Sequence, residues 1–150
     1  MATDATTATE ATAAADTWSA RAVAEKFVER LGRQDPEGIQ ELFTEEIDWY
    51  VPGNDALPWT GRRTRREEVA PYFTTMWPHF VPGRSEVALE RVVVDGGDVV
   101  LLAVWTHTVA ATGKEFTTPA AMHLVVEDGR IVRMHLYEDT LTVAAAFDAG

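Results

Sequence analysis

The order of hydrophobic patterns along the chain predicts an α+β fold, with helices first and an antiparallel sheet afterwards. Helical spacing of apolar residues dominates from Thr17 to about Met76. Beyond Pro82-Gly83 the sequence is rich in Val, Thr and aromatic residues, which favour strands. With 150 residues, of which 46% are hydrophobic, the chain is long enough to form one domain with a buried core.

Two helices are predicted before the first strand. From Thr17 onward, apolar residues recur at helical spacing, and charged residues surround them. This apolar stripe consists of Trp18, Ala22, Val23, Phe27, Val28 and Leu31. Gly32 is expected to end the helix. Asp35-Pro36 is typical of an N-cap followed by proline at the first helical position, so a short second helix that buries Ile39 is predicted.

A short strand and a third helix follow. Ile47–Val51 is predicted to be a strand, and Asn54–Arg63, which is rich in turn residues, is predicted to be a loop. Thr64-x-x-Glu67 fits a capping box that starts a helix. Because Pro71 lies inside this helical pattern, the helix is either kinked or begins after the capping box.

Four long strands are predicted in the second half of the chain. They are Ser85–Val94, Val99–Ala110, Phe116–Val126 and Arg130–Tyr137. The segments between them are short and contain Gly, which favours hairpin turns. Strands joined by tight turns pair with their sequence neighbours, so we expect an antiparallel meander whose one face is covered by the helices.

Charge and residue content exclude several classes of function. The formal net charge is −11, which disfavours nucleic acid as a partner. The absence of Cys excludes disulfides, thiolate nucleophiles and Cys-ligated metal sites. No apolar run reaches the roughly 20 residues of a membrane span, and the N-terminus lacks the basic and apolar regions of a signal peptide. We therefore expect a cytoplasmic protein that does not bind membranes.

The first 16 residues differ in composition from the rest of the chain. Twelve of these 16 residues are Ala or Thr, three are acidic, and none is aromatic. Such a segment has nothing large to bury, so we expect residues 1–16 to be a disordered tail. Residues 17–150 are expected to form the single folded domain.

Several short motifs follow one another in a recognisable order from about Thr17 to Phe147. They are Asp35-Pro36-Glu37, Leu42-Phe43-x-Glu45, Trp49-Tyr50-Val51-Pro52-Gly53, Gly61, Glu127-Asp128-Gly129-Arg130-Ile131, Tyr137-Glu138-Asp139 and Ala144-Ala145-Ala146-Phe147. With this order the chain resembles the SnoaL-like group of the nuclear transport factor 2-like (ketosteroid-isomerase-like) superfamily. The resemblance implies a cone-shaped barrel in which a strongly bent antiparallel sheet wraps around three N-terminal helices, with a pocket between sheet and helices.

The resemblance also implies a set of functions. Relatives include polyketide cyclases, steroid isomerases, dehydratases and epoxide hydrolases, most of which act on hydrophobic small molecules without a cofactor, and many are dimers. We therefore expect a cofactor-independent acid–base enzyme of the cyclase, isomerase, dehydratase or epoxide-opening type, in secondary metabolism. The alternatives are a non-catalytic small-molecule-binding or dimerisation module of the same fold, and a stress-response or immunity partner that uses the outer sheet face.

Two branches of the superfamily are disfavoured by particular positions. By the resemblance, steroid isomerases carry their two acids and their tyrosine where this chain has Val51, Ala121 and Phe27. All three residues are apolar. Limonene-type epoxide hydrolases need Asp and Arg on the strand that corresponds to Phe116–Val126, which contains neither.

Strand alternation selects the candidate catalytic residues. His107 shares an alternating face with Trp105, and His123 shares a face with Ala121. Glu138 shares a face with the apolar residues of the last strand. Titratable groups on apolar faces are costly unless they are hydrogen-bonded, so these three are the internal candidates.

The roles of these candidates stay open at the level of the sequence. Either His107 or His123 would move the proton, since imidazole titrates near neutral pH. Glu138 would orient the imidazolium, act as the base itself, or pair with Arg133. The resemblance places Tyr50 at the pocket mouth as a donor to substrate oxygen, whereas alternation turns its neighbour Trp49 inward, so one of these two expectations must fail unless a bulge intervenes.

Apolar residues are expected to form the wall that binds the substrate. They are Trp49, Trp59, Trp77, Trp105, Met134, Leu136 and Ala121. The run Arg62-Arg63-x-Arg65-Arg66 receives a carboxylate or phosphate, or else forms a solvated helix start that pairs with nearby acids, which is the favoured interpretation. The spacing of His107, His123 and Glu138 carries no metal signature, so neither a metal nor another cofactor is expected.

The outer face of the sheet predicts the oligomeric state. In the last strand Arg133, His135 and Tyr137 alternate with the residues of the inner face. An antiparallel sheet that packs one face on helices must leave the other face wet or pair it with another surface. We therefore expect a homodimer formed through this outer face.

Overall fold

The computed structural model describes residues 18–149, so the expected disorder of residues 1–16 lies outside the described part of the chain. The helices are α1 (Ala20–Gly32), α2 (Pro36–Gln40), α3 (Val69–Met76) and α4 (Thr140–Phe147). The strands are β1 (Phe43–Val51), β2 (Gly61–Arg65), β3 (Glu86–Asp95), β4 (Asp98–Thr108), β5 (Glu115–Glu127) and β6 (Arg130–Glu138). The fold is therefore α+β, as expected.

All six strands belong to one sheet, in the order β2-β1-β6-β5-β4-β3. The meander expected from the tight turns is confirmed, because β3, β4, β5 and β6 pair antiparallel with their sequence neighbours. The sheet is not wholly antiparallel, however. β1 lies parallel to β6, with Trp49 opposite Met134, because the chain returns from α2 to the far edge of the meander.

The arrangement of helices differs from the expected one. Two helices, α1 and α2, precede the first strand, and α3 follows β2, so three N-terminal helices enclosed by the sheet are not confirmed. The segment predicted to be a loop ends in the first three residues of β2, which pairs with β1. α3 begins only at Val69, after a 3-10 turn, and this later start puts Pro71 in the first helical turn, where its missing N–H costs little.

The helix ends follow their local sequence signals. Gly32 is the last residue of α1, and the Asp35 side chain accepts a hydrogen bond from the Gly38 N–H at the start of α2. Asp139 caps α4 in the same way by accepting from the Thr142 N–H.

The core lies between the helices and one face of the sheet. Val23 and Phe27 of α1 are fully buried, as are Val69 and Phe73 of α3 to within a few per cent. The sheet contributes alternate residues to the same core, and the most buried of these are Phe43, Trp49, Val51, Val99, Leu124, Ile131 and Met134. Within residues 18–149 no helix has the length and apolar character needed to cross a membrane.

Candidate functional site

A cavity of about 580 Å³ lies between α1, α3 and the inner face of β4 to β6. Seven aromatic residues form much of its wall, namely Phe27, Trp49, Tyr72, Phe73, Trp77, Phe80 and Trp105. A volume of this size and a mostly apolar wall with few polar groups are typical of small-molecule sites. We call this space the cavity below.

His107 is the histidine in the cavity wall. It lies near the end of β4, and its Nδ1 is 2.7 Å from the Ser85 Oγ, which also lines the cavity. The imidazole stacks on the Phe80 ring at a centroid distance of 4.3 Å. Burial lowers the pKa of His107 to about 4. At neutral pH the ring is therefore uncharged, with one nitrogen that donates and one that accepts.

Glu138 lies beside the cavity without lining it. It is the last residue of β6, and its Oε1 accepts a hydrogen bond of 3.3 Å from Nε1 of Trp105, whose indole does line the cavity. Burial raises the pKa of Glu138 to about 7, and the bond from Trp105 partly opposes this rise. A carboxyl group with such a pKa both takes up and releases a proton near neutral pH.

Tyr72 is a cavity residue that the sequence analysis did not select. It comes from α3, it is 5% exposed, and it packs against Trp49 at a centroid distance of 4.8 Å. Burial raises the pKa of its phenol, and the negative charge of Glu138 raises it further. The hydroxyl therefore stays protonated as a neutral donor. Its helical spacing marked Tyr72 only as a core residue, so no sequence signal distinguished it.

Most of the expected wall residues line the cavity, and two do not. Trp49, Trp77, Trp105, Met134 and Leu136 are part of its wall. Trp59 instead packs in the core against other aromatic rings, those of His79, Phe80 and Phe147. Ala121 lies on the other face of β5, because the even-numbered residues of that strand are the buried ones.

His123 also lies away from the cavity, which corrects its place among the internal candidates. Its Nε2 is 2.7 Å from Oδ1 of Asp98, whose side chain is 60% exposed, on the outer face of the sheet. The alternation of β5 was ambiguous because both of its faces carry apolar residues, such as Met122 inside and Val125 outside. Helix packing, rather than local pattern, decides which face is buried.

Tyr50 also lies on the outer face, whereas Trp49 is 1% exposed and lies inside. The Tyr50 ring contacts the Arg62 guanidinium at 4.7 Å and the His135 ring at 6.0 Å. The expectation from strand alternation is thus correct, and the expectation that Tyr50 donates to substrate at the pocket mouth is not met. A hydroxyl donor for the cavity comes from Tyr72 instead.

A polar cluster ties β1 to β6 on this outer face. The Asp48 carboxylate lies 2.8 Å from Nε2 of His135 and 3.2 Å from Nε of Arg133. The hydrogen bond from His135 holds the pKa of Asp48 below its ordinary value, and the charges of His135, Arg133 and Arg62 act in the same direction. All members of the cluster lie outside the cavity wall, so its role is to join the two parallel strands.

The arginine run after the loop divides into paired and inward members. Arg62 lies 3.7 Å from Asp48, and Arg65 lies 3.9 Å from Glu67. Arg63 donates to the Trp59 carbonyl and stands over the Tyr72 ring. Arg62 and Arg65 thus pair with acids as the favoured interpretation expects, whereas Arg63 does not, and the run lies in β2 and the 3-10 turn instead of at a helix start. Arg66 alone turns toward the start of β1, where it donates to the Phe43 carbonyl.

No group of three or more His, Asp or Glu side chains among residues 18–149 is placed to hold a metal ion. The set considered at the level of the sequence cannot assemble, because His123 lies on the outer face and His107 on the inner one. What the cavity brings together is a neutral imidazole, a hydroxyl from Ser85 and the phenol of Tyr72, with Glu138 behind Trp105.

The comparisons with known proteins agree on the fold. The family model described as SnoaL-like domain matches residues 24–134. No curated protein matches the chain by sequence. A nuclear transport factor 2-like protein from Burkholderia xenovorans is 20% identical, with a TM-score of 0.73, and the alignment covers 88% of this chain and 99% of that one.

Two further solved structures carry ligands in their descriptions. TerC, co-crystallized with polyporic acid, is 16% identical, with a TM-score of 0.73 over 85% of this chain and 96% of its own. A hypothetical protein of ketosteroid isomerase-like fold from Catenulispora acidiphila, in complex with trimethylamine, is 16% identical. Its TM-score is 0.68, and the alignment covers 83% of this chain and 90% of that one. At these identities the likeness shows a shared fold.

Proposed function

We propose, from the membership of this chain in the SnoaL-like domain family and from its nuclear transport factor 2-like fold, that its cavity binds a hydrophobic small molecule. We further propose that the protein performs acid–base chemistry on this molecule without a cofactor. The family's fold hosts isomerases and polyketide cyclases. Isomerisation, cyclisation, dehydration and epoxide opening all need a group that moves a proton and a group that holds an oxygen atom.

The observation that carries the proposal is a pair of groups whose pKa values burial shifts in opposite directions, His107 in the cavity wall and Glu138 behind Trp105. His107 is neutral at pH 7, because burial lowers its pKa to about 4. Glu138 is partly protonated at pH 7, because burial raises its pKa to about 7. When the environment pushes two titratable groups toward different protonation states, their roles as acid, base and neutral donor are separated.

His107 and Tyr72 are assigned the binding of substrate oxygen. One nitrogen of the imidazole is engaged by Ser85, and the part of the chain that the structure describes offers no partner to Nε2, which is left to bond a ligand. The Tyr72 phenol is a second neutral donor in the same wall. Neutral donors stabilise negative charge on a developing enolate or alkoxide without themselves losing a proton.

Glu138 is assigned the transfer of the proton. Its carboxyl group is separated from the cavity by the indole of Trp105, and the hydrogen bond between them is long, at 3.3 Å. In the proposed reaction a bound ligand displaces this bond, and the carboxyl group then reaches the ligand. TerC, which was co-crystallized with polyporic acid, supports a small-molecule ligand for this fold.

The experiment that tests the proposal starts from a thermal-shift screen of hydrophobic metabolites, since a bound ligand stabilises the native state. Hits are then assayed for conversion with three variants, His107→Ala, Glu138→Gln and His123→Ala. We expect Glu138→Gln to reduce turnover by roughly 10²–10⁴-fold, which is the usual contribution of a proton-transfer group to the rate, with little change in ligand affinity. His107→Ala is expected to lower both turnover and affinity.

His123→Ala is the matched control, because it removes the same side chain from the outer face of the sheet. It is expected to leave turnover unchanged. Full turnover in both the His107→Ala and the Glu138→Gln variants would show that these residues do not perform the chemistry. Equal losses in His107→Ala and His123→Ala would point to a general effect of removing imidazole.

A non-catalytic binding module is the second candidate, and one observation favours it. Glu138 does not line the cavity, and the indole of Trp105 stands between the two. A binding protein needs only the shape and polarity of the wall, so Glu138→Gln should then leave ligand affinity unchanged. Tight hits that the wild-type protein never converts would establish this function in place of the enzyme.

A further inference from the structure

A second concave site of about 620 Å³ shares no residue with the cavity wall. It lies where α1, α2 and the turn before α3 meet the hairpin between β5 and β6. We call it the arginine cleft, after Arg30, Arg66 and Arg130, which line it together with Trp18 and Gln40. The three arginines are far apart in sequence, so only the fold brings them together.

All three guanidinium groups are held by carbonyls of one backbone segment. Arg30 donates to the carbonyl of Gly38, Arg130 donates to that of Glu41 over 2.8 Å, and Arg66 donates to that of Phe43 over 3.4 Å. A guanidinium has five N–H donors, so these bonds leave several donors of each group unused. Anchored cations with unused donors are organised in advance for an anion.

The charge in the arginine cleft is opposite to that of the chain. The whole sequence has a formal net charge of −11, yet three arginines and only two carboxylates, those of Glu41 and Asp128, line this cleft. The Glu41 carboxylate is 75% exposed and 3.8 Å from Arg30, so solvent screens that pair. Within residues 18–149, Arg66 and Arg130 have no carboxylate within ion-pair distance.

We propose that the arginine cleft binds the oxyanion group of a small molecule, a carboxylate or a phosphate, next to a planar ring that stacks on Trp18. Trp18 lines the cleft and is 40% exposed. The Lys26 ammonium lies 4.4 Å from the centroid of its ring, so a ligand ring would stack on the opposite face of the indole. The Oε1 of Gln40 accepts from the Ala70 N–H, which leaves its amide NH₂ as a further donor. Arginine suits such a group because its planar fork donates two parallel hydrogen bonds to two oxygens of a carboxylate or phosphate.

The competing explanation is purely structural. The carbonyls of Gly38 and Glu41 belong to the last turn of α2 and the residue after it, where cations stabilise the unpaired carbonyls of a helix. Three arginines at a helix end need no ligand. The two explanations differ in what they require of Glu41, since only an anion site is weakened by a neighbouring carboxylate.

The test is a titration of the ¹⁵N-labelled protein, followed by ¹H–¹⁵N spectra. The probes are phenyl phosphate, benzoate and inorganic phosphate, with benzyl alcohol as the uncharged control. We expect phenyl phosphate and benzoate to shift the indole N–H of Trp18 and the amides of Leu42 and Gly129, while the cavity residues stay unchanged. The relative affinities of phenyl phosphate and benzoate identify which oxyanion the cleft prefers. The difference in affinity between phenyl phosphate and inorganic phosphate measures the contribution of the phenyl ring to binding.

Paired variants make the titration decisive. Arg66→Gln is expected to weaken the binding of phenyl phosphate by about tenfold, the loss of one charge-assisted contact. Glu41→Gln is expected to strengthen it several-fold, because it removes a competing carboxylate whose loss leaves the fold unaffected. The controls are Arg62→Gln and Glu45→Gln, which change the net charge by the same amount outside the cleft and are expected to leave binding unchanged.

Three outcomes would overturn the proposal. The first is that no probe shifts the signals of the cleft. The second is that Arg62→Gln weakens binding as much as Arg66→Gln, which would indicate a general charge effect. The third is that Glu41→Gln leaves the affinity unchanged or lowers it. Because the cleft and the cavity have no residue in common, a failure here leaves the proposed acid–base function untouched, and the reverse also holds.

Discussion

Burial changes the protonation of His107 and Glu138 in the same chemical sense, because it disfavours the charged form of each. The pKa of the imidazole falls to about 4, and that of the carboxyl group rises to about 7. Between about pH 4 and pH 7 both groups are therefore mostly uncharged, in keeping with the apolar wall of the cavity. Residue chemistry in this protein thus depends on the depth at which the fold places each side chain.

Glu138 should make the stability of the protein depend on pH. Its pKa is about 7 when folded and 4.5 as the ordinary value, so between these two pH values the folded state binds more protons than the unfolded state. Stability contributed by the protonated carboxyl group is present below pH 4.5 and is lost as pH rises through 7. Glu138→Gln removes this loss. We expect the free energy of unfolding of the variant to exceed that of the wild type by up to about 3 kcal/mol at pH 8. Near pH 4.5 the two free energies of unfolding should be equal.

Chemical denaturation of both proteins at several pH values measures this difference. Glu127→Gln, at the exposed end of β5, is the control and is expected to follow the wild type at every pH. His107 makes the free energy of unfolding rise with pH between pH 4 and 6.5, which is opposite to the effect of Glu138. Because His107 is present in both the wild type and the variant, its contribution cancels in the comparison. A constant difference between Glu138→Gln and wild type across pH would contradict the burial of a protonated Glu138.

At the scale of elements, the cap of the short helix α2 depends on a glycine at position 38. The Asp35 carboxylate caps α2 by accepting from the Gly38 N–H over 3.0 Å. A Cβ atom at Gly38 would lie 2.1 Å from Oδ2 of Asp35. The carboxylate therefore occupies the space that any side chain at position 38 would need, so glycine is required there for packing.

Gly38→Ala should destabilise the protein although Ala is the better helix former. The methyl group must displace Asp35, and the helix then loses its N-cap, which costs about 1 kcal/mol. Gly32→Ala is the matched control, because a Cβ at Gly32 meets no atom within 4 Å, and it is expected to be neutral or slightly stabilising. Urea denaturation measures both changes. Equal stability of the two variants would show that Asp35 can move without cost.

At the scale of the whole molecule, one face of the sheet lacks a helical cover. Val93 of β3, Leu102 of β4 and Tyr137 of β6 are 44%, 36% and 56% exposed. They alternate with residues of the buried face, so they project from the outer one. Apolar side chains spread over a broad sheet face are typical of a surface that pairs with another protein. We propose that this face forms the two-fold interface of a homodimer.

Light scattering after size-exclusion chromatography tests the dimer. We expect about 33 kDa at micromolar concentration, twice the 16.5 kDa of one chain. Leu102→Arg should shift the mass to that of the monomer, because two copies would bury unpaired charges at the interface. Leu141→Arg is the control, since Leu141 is 83% exposed on α4 and should leave the mass unchanged. A mass of one chain for the wild type would refute the interface.

The sequence by itself determined the first two helices, the cap at Asp35 and the antiparallel meander, because these depend on residues that are near one another in the chain. It also determined that His107 and Trp105 share one face of β4, and the structure turns that face toward the cavity. Alternation fixes which residues share a face, but β4, with Leu102 on its outer face, is apolar on both sides, so the burial of one face depends on the helices that cover it.

Only the tertiary structure decided which residues meet. β5 is apolar on both faces, so helix packing decided which of its two faces is buried, and His123 and Ala121 lie on the outer face. The parallel pairing of β1 with β6, the place of Tyr72 in the cavity wall and the meeting of three distant arginines all join segments that are remote in sequence. Such contacts are fixed by the burial of the whole core at once, and no local pattern carries that information.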